Sequence, residues 1–377
     1  MRKWFAVMKG LKFGKKALKL LLLTITIVMA VVLVASAWGG RVSPVDSRIL
    51  PLVTLAMPLI YIINIVILIS WLVVLRWKYS LISLAAVILS WAPLSTVCPL
   101  NIFPKTYEAD STFRVMSFNV ANYNPRDCNP SNSMRYILDQ DADFVLVQEG
   151  SHGGEYLQFS NVQQLREEFE NKYPYHSNGR RQLLLFSKYP YHVVPDSTFT
   201  NKPNNGGIEY VKVFDIKMPR GKQLRLVNIH LRSIKLKESD KELYVEITKH
   251  GVNVNEKNEL RRIKHSLYNK LERAFLIHSD EVEVIRSIID NSPGNVILCG
   301  DFNESPSSYS YCVIRGDDMS DTFQDCGLGM THTYNEYRLY FKIDHILYRG
   351  DLEAVDWKRD KAGDSDHYPQ VATFVWK

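Results

Sequence analysis

The residues best suited to chemistry in this chain of 377 residues stand where short apolar runs stop. Asn119 ends one run and Gln148-Glu149 another, followed by His230, Asp301-Phe302-Asn303, Asp344-His345 and Asp366-His367. Each ending offers a carboxylate, an amide or an imidazole. Carboxylate and amide oxygens suit a hard cation such as Mg²⁺, held at about 2.1 Å with part of its water shell retained. A histidine beside an aspartate has its charged form favoured and can donate to an anion. Hydrolysis of a phosphate ester needs such a cation against the non-bridging oxygens, a positioned water, and donors for the five-coordinate transition state. Taken singly, an Asp-x-Asn is more often a turn or helix cap, and a lone histidine beside an apolar strand more often a satisfied core residue. Turns do not account for six such endings in order.

The elements that must position these groups are legible around them. Residues 113–118, 144–147, 183–186, 224–229 and 296–299 are short apolar runs that stop abruptly, and they read as buried strands of a layered α/β domain. Helical patterns cover 133–140, 162–171 and a long stretch over 256–290, and the charged segment 233–255 reads as an insertion leading into the last. No internal repeat interrupts the region from 101 to 377, so it is expected to form one catalytic domain. Polar groups at the carboxyl ends of strands converge on one rim.

With these residues in view, Ser117-Phe118-Asn119-Val120, Val147-Gln148-Glu149, Asn228-Ile229-His230-Leu231, Gly300-Asp301-Phe302-Asn303, Ile343-Asp344-His345-Ile346 and Ser365-Asp366-His367-Tyr368-Pro369 resemble the ordered motifs of the endonuclease/exonuclease/phosphatase superfamily. The resemblance implies a four-layer sandwich of two mixed β-sheets packed face to face with helices outside. It also implies a divalent-metal-dependent phosphoesterase using Mg²⁺ or Mn²⁺. Glu149 would be the principal metal ligand, with Asn119 beside it and Asp366 at or near the ion. Asp301 would position the attacking water and Asn303 would hold a phosphate oxygen. His367, oriented by Asp344, would contact the phosphate, with His230 as a second imidazole. Ala121 stands where some relatives carry a further polar residue, which counts against a second metal on that side. Ser187-Lys188-Tyr189-Pro190 matches a family turn that is usually structural. His332 and His345 are candidates only for supporting contacts, and His278 is assigned with the remaining histidines to surface or core.

Composition separates this region from what precedes it. Arg2, Lys3, Lys9, Lys12, Lys15, Lys16 and Lys19 come before the first long apolar run with no acid among them. From residue 101 onward 35 basic residues face 39 acidic ones, so the whole-chain surplus of +6 belongs to the N-terminal part and is no argument for a nucleic-acid binder. Uncharged runs over about 18–38, 49–75 and 81–98 read as three membrane spans within residues 1–100. A cleaved signal ending at Ala35-Ser36-Ala37 is the alternative for the first, but its length and the two later runs favour a span. With the basic tail inside, three crossings place the catalytic region outside the cytoplasm. Pro51, Pro58 and Pro93 lie in or beside these runs, and no ionisable residue sits near a span centre, so the segment reads as an anchor in the lipid bilayer. The five cysteines lack zinc-site spacing, and Cys299 within a strand reads as a buried thiol. The substrate is left open among nucleic acid, a phospholipid or inositol-phosphate head group, and a small phosphodiester, because loops decide it. An inactive membrane scaffold that kept the fold is the competing reading.

Overall fold

The computed structural model describes residues 2–108, 112–121, 132–150, 163–177, 182–199, 208–234, 257–336, 340–362 and 365–377. The insertion expected at 233–255 lies almost wholly outside the described residues, as does Cys128. The strands are β1 (Thr112–Asn119), β2 (Phe144–Gln148), β3 (Tyr175–His176), β4 (Leu184–Ser187), β5 (Tyr191–Val193), β6 (Val211–Lys217), β7 (Gln223–His230), β8 (Val296–Asp301), β9 (Ser320–Asp321), β10 (Asp344–Arg349), β11 (Leu352–Arg359) and β12 (Gln370–Trp376). They form two sheets, ordered β11-β12-β1-β2-β4-β3 and β5-β6-β7-β8-β10-β9. In each sheet a parallel pair, β1 with β2 and β7 with β8, lies among antiparallel neighbours.

Alternation along the strands divides their side chains between layers. Phe113 and Val115 of β1, Phe144 and Leu146 of β2, Leu224 and Leu226 of β7, and Ile297 and Cys299 of β8 share one core between the sheets. Met116 and Phe118 face the other way, into a second core with α6 (Asn132–Gln140) and α7 (Gln163–Lys172). Val227, Ile229, Val296 and Leu298 face a third core with α8 (Lys257–Asp290) and α9 (Tyr309–Arg315). The result is the expected four-layer sandwich. Cys299 is fully buried, and burial pushes its thiol upward, as the strand position implied.

The sheets are also joined by hydrogen bonds just below their common rim. Asn228, fully buried on β7, donates through Nδ2 to the carbonyls of Val147 and Leu184 on the opposite sheet, each at 3.0 Å. Its Oδ1 accepts from Gln148 Nε2 at 2.7 Å. Two side-chain amides and two main-chain carbonyls are thereby joined where water is excluded, with Gln148 Oε1 left without a partner.

The N-terminal region departs from the three uninterrupted runs. α1 (Arg2–Trp38) contains a stretch long and apolar enough to cross a membrane. The second run is divided into α2 (Leu50–Leu55) and α3 (Met57–Val73), with Pro51 and Pro58 each in a first helical turn, where the missing N–H costs nothing. The third is bent by 72° between α4 (Trp77–Leu89) and α5 (Trp91–Val97). Pro93, in the first turn of α5, has no N–H with which to carry the helix across that junction. Among the described residues one helix is thus long enough to span alone, and the bent pair adds a second only if counted together.

These helices pack on α1 and seat against the sandwich. Asn64 donates to the Met29 carbonyl at 3.0 Å, and Trp71 Nε1 donates to Thr26 Oγ1 at 2.9 Å. Ser307 donates to the Thr54 carbonyl at 3.3 Å, Gln324 donates to Ser95 at 2.7 Å, and Arg48 pairs with Glu272 at 2.7 Å. Gly40 has no room for a Cβ, which would overlap the Ser307 carbonyl oxygen. Beyond residue 307 the helices α10 (Thr322–Cys326) and α9 complete this side of the domain.

Replacing Asn228 with alanine strands two carbonyls and the Gln148 amide, at about 1–3 kcal/mol for each buried group left unpaired. The thermal midpoint of the full chain in detergent should fall by roughly 5–10 °C. An unchanged midpoint in differential scanning fluorimetry would rule this clasp out as a structural element.

Candidate active site

The alternation that builds the core also builds the site. Continuing the inward-facing parity of Phe113 and Val115 leads to Ser117 and Asn119, that of Ile297 and Cys299 leads to Asp301, and that of Leu224 and Leu226 leads to Asn228 and His230. β10 runs antiparallel to β8 with Asp344 opposite Asp301, so its first residue joins the same rim. Gly300 allows β8 to lie close to β7, because a Cβ there would overlap the Ile229 carbonyl oxygen.

Asp301 is the centre of the arrangement, only 1% exposed. Its Oδ1 accepts from the Asn303 backbone N–H at 2.8 Å, and its Oδ2 accepts from Asn119 Nδ2 at 3.0 Å. His230 Nε2 and His367 Nε2 each stand 3.7 Å from Oδ2. Glu149 Oε1 lies 3.3 Å from Asn119 Nδ2 and 3.6 Å from His230 Nε2. His230 Nε2 is buried without a hydrogen-bond partner. An orphaned ring nitrogen between two carboxylates is the group expected where a ligand completes the site.

His367 is fixed from its other side, with Nδ1 2.9 Å from Asp344 Oδ2. Burial alone would lower its pKa, but the carboxylates of Asp344 and Asp301, that hydrogen bond and Asp366 raise it to about 10. Burial pushes Asp344 up, and the facing His367 more than reverses this, holding Asp344 below the usual carboxylate range. Asp301 is raised, chiefly by burial and then by Asp344, against the opposing pull of His367 and His230. The rim therefore carries an imidazolium whose Nε2 hydrogen is directed into the site. Thr333 Oγ1 accepts from the backbone N–H groups of Ile343 and Asp344, both at 3.0 Å, and fixes the start of β10. Ser365 donates to the Asn119 carbonyl at 2.7 Å and accepts from the His367 N–H at 3.0 Å, which ties the last motif to β1.

Asn119, Glu149, His230, Asp301, Asn303, Asp344 and His367 are thus brought together. Asp366 lies on the same loop, where its carbonyl accepts from Asn335 N–H at 3.0 Å. Among the described residues Asp301, Asp344 and His367 offer His or carboxylate atoms within 4.8 Å of one another, a group different from the expected Glu149, Asn119 and Asp366. Asn119 turns its amide nitrogen toward Glu149 and Asp301, while its oxygen accepts from Ala121 N–H at 3.1 Å. Glu149, Asp301 and Asp344 bring hard carboxylate oxygens to this rim and no thiol is among the groups brought together, which fits Mg²⁺ or Mn²⁺ better than a softer ion. Ala121, Glu149 and Asn303 all have left-handed backbones, with φ of 47°, 54° and 50°. Non-glycine residues hold that conformation only where their surroundings impose it.

His345 is buried with Nδ1 2.8 Å from Lys342 Nζ; burial and that cation lower its pKa to about 4, so it stays neutral. His332 instead packs against the rings of Tyr340 and Tyr368. His278 and Glu304 form a buried pair behind the Asn303 loop, and the apolar helical stripe around His278 gave no hint of a polar partner.

A family model described as "Endonuclease/Exonuclease/phosphatase family" matches residues 116–367, from the middle of β1 to the final histidine of the site. The chain belongs to this family and is a hydrolase of phosphoester bonds. Enzymes of the family generally depend on a divalent metal. A second model, described as "Domain of unknown function (DUF8431)", matches residues 18–97. No curated protein matches the chain. Among solved structures, an endonuclease/exonuclease/phosphatase from Beutenbergia cavernae is 15% identical with a TM-score of 0.45, covering 71% of this chain and 72% of its own. The human Nocturnin catalytic domain with bound sulfate is 15% identical with a TM-score of 0.44, covering 71% and 95%. A mannosyl-6-phosphatase of Bacteroides thetaiotaomicron is 16% identical with a TM-score of 0.41, covering 70% and 100%.

The His367 shift fixes the sign of a pH dependence. Its folded value near 10 exceeds the ordinary 6.5, so its contribution to stability is full below about pH 6.5 and is lost as pH rises through about 10. With excess EDTA present, the thermal midpoint should decline across that window, and His367→Gln should decline less steeply. Identical slopes for the two proteins would refute a charged His367 in the folded state.

Proposed function

We propose that the chain is a membrane-tethered phosphodiesterase dependent on Mg²⁺ or Mn²⁺, with residues 1–100 as the membrane segment and 101–377 as the catalytic domain. The observation that carries this reading is the unpartnered His230 Nε2 facing Glu149 and Asp301, opposite the charged His367. Glu149, with Asn119 beside it and Asp366 nearby, would hold the ion. The ion would supply charge neutralisation at the phosphate oxygens.

The remaining steps fall to side chains. Asp301 accepts a hydrogen bond from the attacking water and aligns it; its raised pKa suits it to take up the proton. Asn303 uses one amide hydrogen on the Leu231 carbonyl at 2.9 Å and has a second for a phosphate oxygen. His367, protonated and held by Asp344, donates to another oxygen, and His230 donates from the opposite side once the phosphate arrives.

The slightly acidic catalytic region speaks against general affinity for nucleic acid, which rests on neutralising phosphates with basic side chains. A phospholipid head group is favoured by one further observation. A crevice bounded by Asn303, Glu304 and Ser305 on one side is closed by Pro51 and Leu55 of α2 and by Leu271 and Phe275 of α8. Apolar side chains of the N-terminal segment thus stand directly beside a residue assigned to the phosphate.

The full chain, purified in detergent, should hydrolyse bis(p-nitrophenyl) phosphate with Mg²⁺ or Mn²⁺ and lose activity in excess EDTA. Glu149→Ala and Asp301→Ala should each lower kcat by about 10²–10⁴-fold. Full activity in either variant, or in EDTA, would refute the mechanism and favour a scaffold. Parallel assays on plasmid DNA, an inositol phosphate and phospholipid in mixed micelles would rank the substrates, with the micellar lipid expected to be cleaved fastest.

Location is tested separately. With the basic tail inside, one or three crossings would put residues 101–377 outside the cytoplasm, whereas two crossings, by α1 and the bent pair, would leave them inside. A reporter fused after Lys377 should be active in the extracytoplasmic compartment, and activity only in the cytoplasm would overturn the topology.

A further inference from the structure

The buried stripe of α8 runs through Phe275, His278, Val282, Ile285 and Ile289 at steps of three and four residues. Within this largely apolar face His278 is fully buried, with Glu281 one turn further on also buried. Both of its nitrogens are engaged. Nδ1 meets Glu304 Oε1 at 2.5 Å, and Nε2 meets the Arg232 carbonyl at 2.6 Å. A carbonyl oxygen only accepts, so Nε2 carries a hydrogen, and a second proton lies between Nδ1 and the Glu304 carboxylate.

The two partners belong to the two loops that carry phosphate-facing groups. Glu304 follows Asn303, and Arg232 comes two residues after His230. Successive backbone groups after β7 are each held: Leu231 O by Asn303 Nδ2 at 2.9 Å, Arg232 N by Glu281 Oε2 at 3.1 Å, and Arg232 O by His278. The Glu304 carbonyl is approached from the other side by His345 Nε2 at 3.4 Å. Asn303 has φ of 50°, a conformation that its neighbours must enforce. A buried pair of this kind contributes little net stability compared with the apolar side chains that occupy the rest of the stripe. Its effect is directional: it cross-links two loops.

We propose that His278 is a positioning residue for phosphoester hydrolysis, holding the Asn303 loop in register with the His230 loop through Glu304 and the Arg232 carbonyl. This rests on the reading of Asn303 and His230 as phosphate-binding groups. Asn303 makes one link between the loops, so His278 acts chiefly by setting where the free Asn303 amide hydrogen points.

The test compares kcat and KM of the full chain in detergent, with bis(p-nitrophenyl) phosphate and Mn²⁺, for His278→Leu, His278→Gln, Glu304→Gln, Asn303→Ala and the His278→Leu/Asn303→Ala double variant. His278→Leu should lower kcat by about 10- to 100-fold with KM changed less than about threefold, and its thermal midpoint should fall, because the Glu304 carboxylate and the Arg232 carbonyl are left buried and unpaired. His278→Gln, which keeps a donor for Arg232 O, should recover part of the loss. The double variant should lose less than about threefold beyond Asn303→Ala alone, since the two residues act on one element. A kcat for His278→Leu within threefold of the parent, or losses that multiply fully in the double variant, would overturn the proposal. If His278→Leu does not fold, His278→Gln and Glu304→Gln carry the same comparison. Full activity in Asn303→Ala would instead sink the underlying reading of the site, whereas a loss there with intact His278 and Glu304 variants sinks only the positioning role.

Discussion

A carboxylate buried where two sheets meet sets the terms for everything around it. Removing an ion from water costs several kcal/mol unless charge and hydrogen bonds replace the lost solvation. Asp301 receives that replacement from both sheets: from Asn303 N–H beside it, from Asn119 across the junction, and from the two imidazoles of His230 and His367. The compensation is available at only one relative placement of the sheets. Asn228 and Gln148, one layer deeper, fix the same placement with neutral hydrogen bonds. The carboxylate is thereby kept dry enough to have a raised pKa and confined enough to address one point in the site.

Much of this is legible in the sequence for a simple reason. A strand buried on both faces writes an uninterrupted apolar run, and its inward parity continues past the run into the first polar residue. Counting in twos from Phe113 gives Asn119, and counting in twos from Ile297 gives Asp301. The motif endings and the fold they imply follow from that regularity. The supports were not legible, because each depends on a contact between residues far apart in sequence. His278 and Glu304 are separated by 26 positions and by a change of layer, and the histidine lies among the apolar residues Phe275, Val282 and Ile285 of its helix. Thr333 and Lys342 lie in irregular chain, where no periodicity marks an inward residue. The direction of the Asn119 amide and the left-handed backbones of Glu149 and Asn303 are set by local closure that residue type does not encode.

Hydropathy was a less complete guide in the N-terminal hundred residues. Uncharged length reports what lipid or a protein core will accept, and says little about where a helix stops. Pro51, Pro58 and Pro93 divide or bend what composition presents as single runs, because a residue without an N–H is tolerated at the start of a helix and not inside one. The short pieces that result, α2 and α5, lie at the end of the helical bundle that meets the catalytic sandwich.

That junction bears on the site. The loop after β8 leaves Asp301 and Asn303 and reaches Glu304, where α8 holds it through His278, and then Pro306 and Ser307, where the N-terminal helices hold it. Gly40 is compact enough for the bundle to press against the Ser307 carbonyl. One short loop therefore has one end at the rim of the site, a middle fixed by a buried pair, and a far end seated on the N-terminal segment. Displacement of α1 or α2 relative to the sandwich cannot be absorbed by a flexible linker at this point, because Pro306 and Ser307 are themselves hydrogen-bonded to Thr96 and Thr54. The helical segment is thus part of the frame that holds the loop carrying Asn303, and a sandwich cut away from it loses the contacts at Pro306 and Ser307.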